Sequence, residues 1–175
     1  IMAAVMGGVC CVQPPCFSVS LEKNTMTKIS LEQRRAFTIN VPSSALVAEF
    51  DFCGLVSGRN SNKFAALKLT PVVGEHVDAP YVAECPIIAE LALRQTLQLG
   101  SHTQYVGEIM DVKVRQDCLT SEGGPDLTHI DPFAFYSLTG EYYGMGQFMA
   151  RALSVGKSIM LLSDNISTAG YGRES

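Results

Sequence analysis

The chain has 175 residues, 47% of them hydrophobic, enough for one domain with a substantial core. Its 13 basic and 17 acidic side chains leave a formal charge of -4, which excludes a general attraction to nucleic acid or an anionic membrane and leaves room only for a local basic pocket. No apolar run is long enough to span a bilayer, and no charged tail or low-complexity block is present.

The opening segment, IMAAVMGGVCC, reads as an apolar strand over residues 1–11, interrupted by Gly7-Gly8. It lacks the basic flank of a signal peptide. Gln13-Pro14-Pro15 is a turn. In Cys16 to Leu21, Phe17, Val19 and Leu21 share one face, the alternation of a strand. A short helix through ISLEQRR follows, with Thr27 as its expected cap. Phe37, Ile39 and Val41 alternate in a second clear strand that Pro42 ends. Ser43 or Ser44 then caps a helix whose apolar side holds Leu46, Val47 and Phe50 and which ends near Gly54 or Gly58. A third short helix is expected over Asn62 to Leu67.

The second half is mostly strand. Ile87 to Leu99 and Tyr105 to Val114 flank the turn Gly100-Ser101-His102-Thr103, a hairpin pattern. On the second of these, Val106, Met110, Val112 and Val114 form the expected apolar face. Residues 117–132 read as a surface loop and Phe133 to Tyr143 as a final strand. Many strands without regular strand-helix alternation argue against a doubly wound sheet and for a small antiparallel barrel with helices between strands, mainly β in class. No repeat or boundary breaks 1–175 into separate domains.

Six cysteines permit a disulfide framework arithmetically, but a chain of this size and apolar content does not need staples. Small buried thiols in a reducing compartment, hence a cytoplasmic location, are the expectation. Adjacent Cys10-Cys11 with Cys16 match zinc knuckles poorly, and no two histidines are spaced as metal ligands.

Three segments bear on chemistry, each with two open readings. In Ser57-Gly58-Arg59-Asn60, a glycine at positive φ gathers amides into an anion nest, aided by Arg59 and by Lys63 at the next helix start; alternatively it is a solvated turn with a C-capping glycine. In Glu22 to Thr27, hydroxyls and free helix amides suit an anion, or a threonine merely caps. In Met6 to Cys11, glycines admit a flat ring against backbone, or one strand crowds another at a bulge. His102 is either a ligand-facing or a surface turn residue; His76 and His129 read as loop residues. Tyr142-Tyr143 covers a ring or packs in the core or a subunit contact.

Taken in order, MAAVMGGVCC, PPCFSVSLEKNTMT, FTINVPS, FCGLVSGRNSNKF, LTPV, DAPYVAECP, LGSHTQYVGEIMDV and YYGMGQ resemble the flavin reductase-like family, and within it the flavoredoxin-like branch. The resemblance implies a Greek-key split β-barrel with short inserted helices that binds FMN near a homodimer boundary. It implies electron transfer from a reduced nicotinamide or a redox protein through the flavin, with no membrane or nucleic-acid partner. A non-redox module for haem or a nucleotide on the same barrel is the alternative. By resemblance, Met6, Val9, Cys10 and Cys11 lie along the flavin ring, and Ser20, Leu21 and Glu22 at the strand end touch ring or ribityl chain. Asn24, Thr25 and Thr27 hold the phosphate, Ser57, Gly58, Arg59 and Lys63 form its second loop, and His102 sits near the flavin. Two features depart from the family pattern. An upstream strand is missing before MAA, which implies a trimmed chain or an exposed barrel edge. Met6 stands where a tryptophan is usual. The tail after Lys157 matches no pattern.

Overall fold

The computed structural model describes residues 1–4, 6–157 and 159. The chain divides into two compact units, Ile1–Met145 and Gly146–Ser175, and the β-sheets belong to the first. The tail after Lys157 lies outside the described residues except for Ile159.

Alternating apolar residues build the main sheet. β1 (Gly7–Val12), β2 (Pro15–Glu22), β3 (Ala36–Val41), β6 (Ile87–Leu99) and β7 (His102–Val114) are antiparallel neighbours in the order β1-β2-β7-β6-β3. Between β3 and β6 lie β4 (Pro71–Val73) and β5 (Pro80–Val82), which pair with each other. The long β6-β7 hairpin is thus inserted between β2 and β3, a Greek-key arrangement. The sheet is split at β3: its contact with β5 runs through side chains, Thr38 Oγ1 donating to the Pro80 carbonyl at 2.7 Å and the Val82 amide donating to Asn40 Oδ1 at 2.9 Å. The fold is mainly β with short helical inserts, a split-barrel architecture.

The expected face of β2 is the core face: Val19 and Leu21 pack with Leu31, Phe37, Leu91, Leu93 and Tyr105, and Phe17 flanks them. Leu91 and Tyr105 are wholly buried, each such side chain stabilising by about 1.5–3 kcal/mol. A Cβ at Gly107 would sit 2.7 Å from the Phe37 ring, so only glycine lets that ring lie on β7. The expected face of β7 is corrected. Thr103, Tyr105 and Gly107 point inward, while Met110 and Val112 are about half exposed. A count of apolar residues missed this because the inward face carries a threonine, a tyrosine and a glycine.

Helix α1 (Met26–Arg34) docks Leu31 on the sheet and is tethered by the Tyr105 hydroxyl, which donates to Glu32 at 2.7 Å. Its cap is Thr25, not Thr27: Thr25 Oγ1 accepts the Lys28 amide at 3.4 Å, and Thr27 lies within the helix. α2 (Val47–Leu55) and α3 (Lys63–Leu67) follow β3, the latter capped by Asn62. The expected loop over 117–132 contains a helical turn, α4 (Leu127–Ile130). The expected last strand is a hairpin, β8 (Phe133–Tyr136) with β9 (Glu141–Gly144). There Tyr142 meets Phe50, Phe133 and Phe135, and its hydroxyl donates to Asp51 at 2.8 Å, which is a packing role.

Candidate functional site

A cleft of about 1460 Å³ opens between the end of β2, the start of α1, the face of β3 and the α2-α3 connection. Most of the candidate residues converge there. Met6, Ser20, Leu21 and Glu22 line one part of it, joined by the ladder: the Ser20 amide donates to the Met6 carbonyl at 2.9 Å. His102 lies opposite Glu22 across the β2-β7 pairing, with Nδ1 2.8 Å from Ser101 Oγ, and also faces the cleft. Asn24, Thr25 and Thr27 line the adjoining part, as do Ser57, Gly58, Arg59 and Lys63. Val9, Cys10 and Cys11 are absent from the lining and lie farther along the edge strand β1.

Two segments meet at one corner, Met26 and Gly58 being 32 positions apart in sequence. A Cβ on Gly58 would stand 3.5 Å from the Met26 Cβ, so the 57–60 turn rests against the first residue of α1. The turn itself is not the expected nest. Gly58 is not among the residues at positive φ, the Asn60 amide donates to the Ser57 carbonyl at 3.0 Å, and the Arg59 amide donates to Ser57 Oγ at 3.3 Å. Its amides are engaged internally, and what it offers the cleft is side chains. The Arg59 guanidinium is exposed and has no hydrogen bond or ion pair among the described residues. A free, permanently charged fork of donors beside hydroxyls suits an anionic oxygen cluster.

Lys63 differs. It is only 5% exposed, and its ammonium donates to the Cys53 carbonyl at 2.7 Å. Burial pulls its pKa below the ordinary lysine value, partly offset by Cys53. One carbonyl satisfies one of the three ammonium donors, so an anion in the cleft would meet a cation already short of partners. Lys63 also holds the end of α2 in place, a structural duty that sequence reasoning did not foresee.

Glu49, Arg34 and Asp78 line the cleft as well and were not singled out from sequence. Glu49 Oε2 is buried with no hydrogen-bond partner among the described residues. Arg34 and Asp78 form an ion pair across the rim. Asp78 belongs to the 74–79 loop, whose shape is set by Glu90. This wholly buried carboxylate accepts the His76 amide at 2.7 Å, the Glu75 and Val77 amides at 3.2 Å each, and the Lys113 ammonium at 3.0 Å. Burial pushes the Glu90 carboxyl up, but the His76 amide, Lys113 and the Glu75 amide together outweigh it and hold it below its ordinary value. His76 thereby contributes its backbone, with its ring 3.9 Å from Asp111; the ring of His129, in α4, pairs with that helix's N-cap Asp126 and is absent from the cleft lining. Gly74 is obligatory, since a Cβ there would lie 2.7 Å from Glu90 Oε2.

The glycines of β1 serve packing in part. A Cβ at Gly7 would stand 2.9 Å from the Ser18 carbonyl, which is the strand-crowding reading, while Gly7 also lines the cleft. The expectation of buried thiols holds for Cys16, Cys53, Cys85 and Cys118; Cys10 and Cys11 are exposed.

Against known proteins, residues 1–136 match the flavin reductase like domain family. Among solved structures, the chain is similar to a flavoredoxin of Desulfovibrio vulgaris (Miyazaki F), with 52% identity, 89% of this chain and 84% of that one covered, and a TM-score of 0.85. It is similar to a flavoredoxin from Methanosarcina acetivorans at 30% identity, covering 91% and 84% of the two chains with a TM-score of 0.85. Among curated proteins, it is 29% identical over 106 residues to a high molecular weight rubredoxin of Moorella thermoacetica, covering 58% of this chain and 44% of that protein. The chain spans between 44% and 64% of the length of the curated relatives it matches.

Proposed function

This chain belongs to the flavin reductase-like family, and on that premise we propose that it binds FMN in the cleft and acts as a reductase or electron-transfer flavoprotein. The observation that carries the reading is the corner where the 57–60 turn meets the start of α1. There a free guanidinium, a buried ammonium and the hydroxyls of Thr25, Thr27 and Ser57 line one stretch of wall.

FMN, when bound, accepts a hydride and releases one or two electrons. The protein's part is to hold and orient it. Arg59 and Lys63 neutralise the phosphate, with Asn24, Thr25, Thr27 and Ser57 as uncharged partners. Ser20, Leu21 and Glu22 at the β2 end would hold the ribityl and ring portion, with Met6 and His102 on the same part of the wall. Burial of Lys63 strengthens its pull on a dianion, because a desolvated ammonium regains there what it lost on leaving water. The buried Glu49 oxygen fits a ligand hydroxyl as its missing donor. The cleft exceeds the roughly 300–1,000 Å³ of a single-ligand pocket, which supports a second reactant beside the flavin. A reduced nicotinamide is one candidate donor; a redox protein is the other, and the likeness to a protein named a rubredoxin supports a protein chain of electron carriers. The half-exposed Leu97, Leu99, Met110 and Val112 support a homodimer, to be read from the mass in solution.

The test is direct. Purified protein mixed with FMN should retain a yellow chromophore through gel filtration, and anaerobic NADH or NADPH should bleach it. Absence of bound flavin at micromolar concentration overturns the reading. A flavin that binds but is not bleached favours a protein-fed electron carrier over a nicotinamide-dependent reductase.

A further inference from the structure

β1 and β2 carry a group of three sulfurs that the cleft does not use. Val9 pairs with Phe17 but Cys11 pairs with Cys16, so β1 holds one extra residue at Cys10. In such a bulge two residues of one strand oppose a single residue of the other, here Cys10 and Cys11 opposite Cys16. Residues facing each other across an antiparallel pair have Cα atoms about 4.5–5.5 Å apart, within the roughly 4.4–6.8 Å that a disulfide spans. By strand alternation Cys16 lies on the opposite face from Phe17, Val19 and Leu21, outside the main core, yet it is only 6% exposed. Its cover on that face includes its β7 partner Glu108, which Arg94 holds at 2.6 Å.

We propose that Cys16 with Cys10 or Cys11 is a redox-active dithiol that a low-molecular-weight disulfide converts to a cross-strand disulfide. The exposed thiol of Cys10 or Cys11, after losing its proton to solvent, attacks one sulfur of the small disulfide; that S–S bond breaks and one thiolate leaves. The Cys16 sulfur, deprotonated, then attacks the protein-bound sulfur and expels the second thiolate. Two electrons and two protons pass from the protein to the small disulfide, which ends as two thiols. Roles divide by access: Cys10 and Cys11 are exposed and meet the reagent, whereas buried Cys16 can only resolve. Burial, then Cys11, Cys10 and Glu108, push the Cys16 thiol above its ordinary value, with Arg94 opposing; the mutual influence of the three sulfurs agrees with their register.

The bond would enclose only Val12 to Pro15 from Cys11, or Cys11 to Pro15 from Cys10, so its entropic stabilisation is smaller than that of a long-loop bridge. Its effect is local. It would lock β1 against β2 just beyond Met6 and Gly7, which form part of the cleft wall.

The full chain, reduced and then incubated with glutathione disulfide, should lose two of its six titratable thiols and yield one intrachain disulfide joining Cys16 to Cys10 or Cys11 on peptide mapping. Cys16→Ser should stop at a stable mixed disulfide. Cys10→Ser/Cys11→Ser, altered only at exposed positions, should lose the reaction altogether and guards against misfolding of the Cys16 variant. Cys85→Ser should react as the parent does. A persistent mixed disulfide on the parent chain, a Cys10-Cys11 link, an interchain link or unreactive thiols would each overturn the proposal. None of these outcomes depends on flavin binding.

Discussion

Two polar regions flank the cleft, and they are built on opposite plans. Around Glu90 each charge is answered: backbone amides and Lys113 surround the carboxylate, and Lys113 also holds Asp111 at 2.6 Å. At the corner between the 57–60 turn and α1, charges are left open. The Arg59 guanidinium has no partner among the described residues, and Lys63 has one carbonyl for three donors. A satisfied buried network is architecture, because removing any member leaves the others unpaired. The desolvated Lys63 ammonium costs folding energy and the Arg59 guanidinium is left to water, and under the proposed function both would meet a ligand of opposite sign. The first region shapes the loop that carries Asp78 to the cleft rim; the second faces what enters.

The contrast breaks most sharply at Glu90. Glu90→Ala should destabilise the fold by about 3 kcal/mol or more, since it strips three amides and an ammonium of their acceptor in a dry setting. Denaturant titration measures it, and a loss below about 1 kcal/mol would remove Glu90 from the architecture. The pH dependence has a definite sign. The folded pKa lies below the unfolded one, so the contribution is present above the ordinary carboxylate value of 4.5 and is lost as pH falls through the folded value. Glu90→Gln should therefore flatten the acid limb of the stability curve while leaving its shape at neutral pH.

Lys63 sits between the two plans, and Lys63→Met shows both. Loss of the bond to the Cys53 carbonyl should cost about 1–3 kcal/mol of stability, while FMN affinity falls at least tenfold. Arg59→Ala isolates the second plan. A charge-assisted contact of about 1.5 kcal/mol corresponds to roughly tenfold in FMN affinity, with stability unchanged within about 0.5 kcal/mol. Equal FMN affinity in the Arg59 variant would return the turn to a purely structural role.

How much of this was legible from residues differs between the regions. The strands through CFSVSL and FTINV could be read, because their alternation is a local pattern, whereas the meeting of the 24–27 and 57–60 segments could be expected only from the family resemblance of runs such as FCGLVSGRNSNKF. The inward face of β7 could not, because a bulge opposite Glu90 and Leu91 shifts its phase and its buried positions include Thr103 and Gly107. Glu90 left no mark either: within IIAELAL it resembles a solvent-facing charge, and its partners lie 13 to 23 residues away along the chain. That Cys10 and Cys11 are exposed while Cys16 is buried could not be read from composition.

The smallest effect belongs to Thr25, whose hydroxyl is already in use and so tests the contrast at its boundary. Thr25 Oγ1 accepts the Lys28 amide and donates to the Glu22 carbonyl at 3.3 Å, tying the end of β2 to the start of α1. Thr25→Ala should cost about 1 kcal/mol, the ordinary loss of a helix cap. That loss alone does not separate capping from ligand binding, because a frayed first turn would also loosen a phosphate. Thr25→Asp does separate them. Aspartate caps as well as threonine and favours the positive helix end, so stability should return to that of the parent. Its carboxylate would face the same corner as Arg59, where it competes with an incoming phosphate for the guanidinium and repels it. Restored stability with FMN affinity several-fold below the parent is the expected pair of results. Stability and affinity recovering together would mean that Thr25 serves the corner only by holding α1 in place.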